Sequence, residues 1–202
     1  MPPEHRPISC ITAVILAGGQ GSRMGGIDKG LVNFRGKPLI AHVIERIAPQ
    51  TDQILINANR SQERYAEFGY PLIADTLPDY PGPLAGILAA LEVLESERLL
   101  AVPCDTPLLP VDLVQRLSNA LDVSGAAIAI PVAGERLHAS IMLMRRGVAR
   151  DLRDYLLAGE RKVQLWLRRQ HTVHVDFSDN PGAFANLNTL DEIRELEHHG
   201  GH

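Results

Sequence analysis

Apolar and polar positions along this chain switch repeatedly between a strand-like and a helix-like period. Ile11–Leu16 is an unbroken apolar run rich in β-branched residues, which predicts a strand buried on both faces. Lys37–Ala48 carries Leu39, Ile40, Val43, Ile44 and Ile47 on one helical face, with Pro38 in its first turn. Gln53–Asn57 predicts a strand, Gln62–Phe68 a short helix and Leu72–Ala74 a short strand. Pro83–Leu94 aligns Leu84, Ile87, Leu88, Leu91 and Leu94 in a stripe. Leu99–Val102 is a strand that stops at Pro103, and Val111–Leu121 is a helix with Leu113, Val114, Leu117 and Leu121 in line. This β-α-β-α rhythm predicts a mostly parallel sheet with helices on both faces. Ala126–Val132 and Ala139–Arg145 then follow without a helix between them. They predict an antiparallel hairpin, or a strand pair at the sheet edge, joined through Ala133-Gly134-Glu135-Arg136. Val148–Leu157 and Lys162–Arg169 predict helices, Thr172–Val175 a strand and Leu190–Glu197 a last helix. The expected fold is α/β: one three-layer domain over 1–202, with 1–9 and 198–202 as loose ends.

The most informative residues follow the first strand. Leu16–Val32 holds six glycines in seventeen positions, too many for a helix or strand. Glycines let backbone N–H groups approach an anion, and Arg23 and Lys29 add positive charge. The loop therefore suits a phosphate chain. It is not a Walker loop, because Ile27 stands where that pattern needs lysine after Gly21 and Gly26. Nor is it the dinucleotide pattern, which begins at Gly19 and Gly21 but meets Met24 at the third glycine.

Composition narrows the setting. At 202 residues, 45% hydrophobic and 22% charged, the chain is ordinary for a globular protein. A net charge of −4 offers no global attraction to nucleic acid or anionic lipid. Two cysteines, Cys10 and Cys104, make no disulfide framework. The expectation is a cytoplasmic monomer with no membrane or nucleic-acid partner.

The first block, LAGG-x-x-x-RMGG-x-DKGL with Gly36-Lys37-Pro38-Leu39 behind it, resembles the molybdenum cofactor guanylyltransferase family. The similarity continues in order through Asn57-Ala58-Asn59-Arg60, Asp79–Gly86, Pro103–Pro107, Gly159-Glu160-Arg161 and Asn186–Thr189. It covers about Ile11 to Glu197. The resemblance implies a Rossmann-like nucleotidyltransferase fold and transfer of GMP from Mg·GTP to molybdopterin. It also implies nucleotide contacts at Leu16, Ala17, Gly18, Gly19, Lys29, Asn57, Asp75 and Asp105. One departure is His138-Ala139-Ser140, where the family commonly has a His-Pro-Thr-like segment.

Read as chemistry, the polar landmarks fall at strand ends, where α/β sheets gather ligands. Asp105 sits between Pro103 and Pro107, which stiffen its turn. Such a carboxylate is a good Mg²⁺ ligand beside a triphosphate, and equally a turn or cap aspartate if taken alone. Lys29 and Arg23 are the candidate cations for the α-phosphate and the departing pyrophosphate. Asn57 and Asp75 fit base or ribose recognition, because guanine N1–H and N2–H₂ need acceptors. Gly82, ahead of a helix, His138, Arg161, Lys162, Asn186 and Asn188 are candidates for an anionic acceptor, the two asparagines also for the metal site. Cys104 has an apolar, acidic setting that disfavours a nucleophile. The rivals are a cytidylyltransferase of the same superfamily, a sugar-1-phosphate nucleotidyltransferase and a non-enzymatic GTP-binding module.

Overall fold

A computed structural model describes residues 10–17, 28–77, 82–187 and 189–199. Strands β1 (Ile11–Leu16), β4 (Gln53–Asn57), β5 (Leu72–Ile73), β6 (Arg98–Pro103), β7 (Ile128–Ala133) and β10 (Thr172–Asp176) run parallel in one sheet. Its order is β10-β7-β9-β6-β1-β4-β5. β9 (Met142–Arg145) is antiparallel to both neighbours, and β8 (Arg136–Leu137) folds back on β7.

β1 explains why there are three layers. Ala13 and Ile15 pack with α1 (Leu39–Ile47) and α4 (Leu113–Ser124) on one face. Val14 packs with α3 (Pro83–Val93), α5 (Ala149–Leu157) and α6 (Val163–Leu167) on the other. The unbroken apolar run is therefore what a strand with a core on both sides requires. α1 and α4 are one-sided, and α4 ends at Gly125 with φ 67°, a left-handed cap whose N–H bonds Leu121 O. α3 is apolar almost all round because it lies between the sheet and α5. α2 (Gln62–Ala66) contributes buried Tyr65 to the α1 face.

The predicted elements occur with boundaries within three residues of those expected. Two placements differ. The helix expected from Lys37 begins at Leu39, because Lys37–Pro38 is a strand (β3) paired with Asn33–Phe34 (β2). Arg35 and Gly36 make that hairpin with φ 47° and 81°, the sign a tight two-residue turn needs. The hairpin supports a small third core of Val32, Phe34, Leu39, Leu187 and Ile193, which docks α7 (Leu190–His199). The runs over 126–132 and 139–145 do pair antiparallel, as β7 and β9, but not at the sheet edge. β9 is inserted between β7 and β6, and β10 and β5 form the edges. No described helix is long and apolar enough to cross a membrane.

Candidate active site

The chain leaves β1 for β4 on one side of the sheet, while β6 lies on the other. This reversal opens a crevice above the carboxyl ends of β1 and β6. Three strand ends are tied together there. Ala17 N–H donates to Asn57 O at 2.9 Å, and Cys104 N–H to Leu16 O at 3.2 Å. Leu16 and Ala17 thus stand at the entrance to the glycine loop. Gly18, Gly19 and Arg23 lie outside the described residues.

Asp105 leaves β6 at this crevice and is 6% exposed. Lys29 Nζ donates to its Oδ2 at 3.0 Å. Its other oxygen, Oδ1, is buried with no hydrogen-bond partner among the described residues. A buried, unpaired carboxylate oxygen is costly, so a fixed one points to a ligand that completes it. The described residues contain no cluster of three His, Cys, Asp or Glu. A single carboxylate with an open oxygen can hold a hard divalent cation whose other ligands are water and phosphate oxygens. The segment after β10 also reaches Asp105. Leu187 N–H donates to Asp105 O at 3.0 Å, and buried Thr106 Oγ1 to Asn186 Oδ1 at 3.3 Å. Asn186 is thereby held against Thr106, the residue after Asp105, whereas Asn188 lies outside the described residues.

Lys29 is set by its neighbours. Fully buried Tyr65 donates its hydroxyl to Asp28 Oδ1 at 2.5 Å. A Cβ at Gly30 would meet that hydroxyl oxygen at 2.6 Å and Cys104 Sγ at 3.2 Å. Only glycine lets the Asp28-Lys29-Gly30 turn pass between α2 and the end of β6. Burial pushes the Cys104 thiol well up, with Asp105 and Asp28 adding to it, so Cys104 is packing and not a nucleophile. Tyr65 carries no motif signal, and Thr106 lies in the Pro103–Pro107 block without a role of its own there; both roles follow from contacts far apart in sequence.

Asp75 follows β5, across β1 and β4 from Asp105. Asn57 Nδ2 donates to its Oδ1 at 3.0 Å and Asn59 Nδ2 to its Oδ2 at 2.8 Å. Asn57 is buried at 3% exposure, against the first turns of α3. A Cβ at Gly86 would lie 2.3 Å from Asn57 Oδ1 and 2.9 Å from a Leu16 methyl. Replacing a mid-helix glycine by alanine ordinarily gains about 1 kcal/mol, and overpacking of this kind costs about 1–3 kcal/mol. Gly86→Ala is therefore expected to lower the melting temperature by a few degrees and to weaken nucleotide binding. Thermal melts with and without nucleotide check both effects.

The remaining candidates divide. Gly82 precedes α3 with φ 140°, a backbone shape that glycine accommodates. His138 precedes β9, beside the end of β6, and its ring stacks on Phe184 at 4.7 Å between centroids. Arg161 caps α5 by donating to Leu156 O and Glu160 O, and Lys162 O accepts the Tyr155 hydroxyl. These contacts tie Arg161 and Lys162 to α5, and His138 to Phe184, rather than to Asp105 or the Asp75 clamp.

Burial holds His138 below its ordinary pKa, with Arg136 adding to the effect. The unfolded chain then binds the proton more readily, so this residue's contribution to stability is present above about pH 6.5 and is lost as pH falls toward its lower native value. His138→Phe keeps the ring stack and removes the titration. Its melting temperature is expected to fall less than wild type's between pH 7.5 and 5.5, which a pH series of melts measures.

With this geometry in place, the likeness to known proteins is specific. A family profile described as MobA-like NTP transferase domain matches residues 13–174. The molybdenum cofactor guanylyltransferase of Shewanella loihica is 50% identical over 186 residues, covering 92% of this chain and 95% of that protein. The same-named protein of Ralstonia pickettii is 47% identical over 199 residues, covering 94% and 97%. The crystal structure of molybdopterin-guanine dinucleotide biosynthesis protein A from Archaeoglobus fulgidus matches with a TM-score of 0.79 at 25% identity, over 94% of this chain and 98% of that one. A 4-diphosphocytidyl-2C-methyl-D-erythritol synthase from Anaerococcus prevotii, at 12% identity and a TM-score of 0.72, shares the fold. By its profile and these identities, the chain belongs to the MobA-like NTP transferases, within the group of molybdenum cofactor guanylyltransferases.

Proposed function

We propose that this chain transfers GMP from GTP to the phosphate of molybdopterin, forming the guanine dinucleotide and releasing pyrophosphate. The observation that carries this reading is the Lys29–Asp105 pair at the strand crossover, with one carboxylate oxygen buried and unmet. Three strand spacings separate the ends of β6 and β5, about 14 Å in all. An extended nucleoside triphosphate fits that span, with its base at Asp75 and its α-phosphate at Lys29. Leu16 and Ala17 line the nucleotide between these ends, and Gly18 and Gly19 are further nucleotide contacts that the family pattern implies. Asp75 accepts N1–H and N2–H₂ of guanine, and Asn57 holds Asp75 in place.

The acceptor enters from the β9, β7 and β10 side. There the segment before β9 brings His138 and the segment after β10 brings Asn186, with Asn188 a further candidate contact. Gly82, Arg161 and Lys162 are the further candidate contacts for the anionic pterin. A phosphate oxygen of the pterin attacks the α-phosphorus in line, the bond to the β-phosphate oxygen breaks, and pyrophosphate departs. No protein nucleophile is needed, in keeping with a buried Cys104 whose thiol stays protonated. Lys29 neutralises charge at the α-phosphate, and Arg23 does so at the leaving group. Asp105 would hold Mg²⁺, which would supply Lewis-acid charge stabilisation on the phosphate oxygens.

Nucleotide choice tests the reading. Melting titrations with Mg·GTP, Mg·CTP and Mg·ATP are expected to give the largest upward shift with GTP. A larger shift with CTP would return the cytidylyl alternative.

A further inference from the structure

Asn59 makes an unusual contact for an exposed side chain at a strand end. Its amide spans two points of one residue. Nδ2 donates to Asp75 Oδ2 at 2.8 Å, while Oδ1 accepts the Asp75 backbone N–H at 2.9 Å. A two-point contact removes rotation about the Asp75 side-chain bonds, which a single hydrogen bond does not. Asn57 meets the other carboxylate oxygen at 3.0 Å from the buried side. Among the described residues these two amides are the only side-chain partners of Asp75.

An ionised carboxylate has about four lone-pair positions. The two amides take one on each oxygen. The carboxylate plane is fixed, and among the described residues no other side chain takes the remaining acceptor position on either oxygen. Two parallel acceptors on one rigid plane match two adjacent donors, and guanine presents N1–H beside N2–H₂. Adenine offers no such pair on its Watson–Crick edge, because its N1 is an acceptor. Asn59 carries no charge and contacts Asp75 rather than the base, so its influence on the nucleotide passes through that carboxylate.

We propose that Asn59 is a positioning residue for base selection, locking the Asp75 carboxylate in the plane that accepts both donors of a guanine edge. The inference rests on the Asp75–guanine contact proposed above. Inosine triphosphate separates its failure from the failure of that contact, because it keeps N1–H and lacks the 2-amino group. Dissociation constants for GTP and inosine triphosphate are measured by calorimetry with Mg²⁺ on the whole chain, for wild type, Asn59→Ala, Asn59→Asp and Asp75→Asn. Wild type is expected to prefer GTP. Asn59→Ala is expected to cut that preference on the order of tenfold, the size of one charge-assisted hydrogen bond, mainly by weakening GTP. Asn59→Asp keeps the size but faces one carboxylate with another, so it should cut the preference further. A residue that only packs would show no such order between Ala and Asp. Asn59 is exposed, so the variants are expected to melt close to wild type. If Asp75→Asn abolishes the preference while both Asn59 variants keep it, the inference fails and the base contact stands. If all three keep it, the base contact fails and the inference falls with it. Equal weakening of both nucleotides in the Asn59 variants also overturns the inference.

Discussion

Asp105→Asn is expected to fold and melt like wild type, or slightly higher, while losing nearly all guanylyl transfer. The two effects have one cause. One Asp105 oxygen is paired with Lys29, and the other is buried without a hydrogen-bond partner among the described residues. An amide keeps the shape and removes the unmet charge, so the folded state loses little and sheds a strained group. Catalysis loses the anionic oxygen that a hard divalent cation requires. Charge stabilisation of this kind is worth several kcal/mol in the transition state, which corresponds to roughly 10²–10⁴ in rate. Turnover and melting temperature measured on the same preparation check this. Turnover near wild type at sub-millimolar Mg²⁺ would reduce Asp105 to a turn residue.

Lys29→Ala is expected to cut turnover by about 10²–10³, the typical loss for one preorganised electrostatic group. Its stability should move in the opposite sense from that of Asp105→Asn. Removing the ammonium leaves the Asp105 carboxylate buried with neither oxygen partnered by a cation, which costs about 1–3 kcal/mol. At a few degrees per kcal/mol for a chain of this size, melts resolve the difference. Added Mg²⁺ should recover part of the lost stability in Lys29→Ala and none in Asp105→Asn, because only the first retains the carboxylate. A Lys29→Ala enzyme with wild-type turnover would remove Lys29 from the phosphate site.

Much of this site is legible in the amino-acid sequence, for identifiable reasons. Strand β1 is apolar but for Thr12 because both its faces are buried, and the glycines that follow are too dense for a regular element. Asp105, Asn57 and Asp75 announce themselves as polar residues at the ends of apolar runs. What stays hidden is non-local. The β2–β3 hairpin has two-residue strands, too short for any alternation to register. An antiparallel pair is readable from Ala126 to Arg145, but nothing in those residues says that β9 inserts between β7 and β6. Tyr65 lies 37 positions from Asp28 and carries no pattern of its own. Asn59 sits in plain view two residues after Asn57, yet its two-point contact depends on Asp75, 16 positions further on.

The central claim is a transfer of GMP between two small molecules held at the Lys29–Asp105 crossover. The most direct measurement incubates the protein with Mg²⁺, molybdopterin and GTP labelled at the α-phosphorus, then separates the products. The expected result is label in a pterin guanine dinucleotide, one pyrophosphate released for each, and loss of both in Asp105→Asn. Label that stays in GTP or appears only as free GMP, or a pterin product that forms from CTP in preference to GTP, would contradict it.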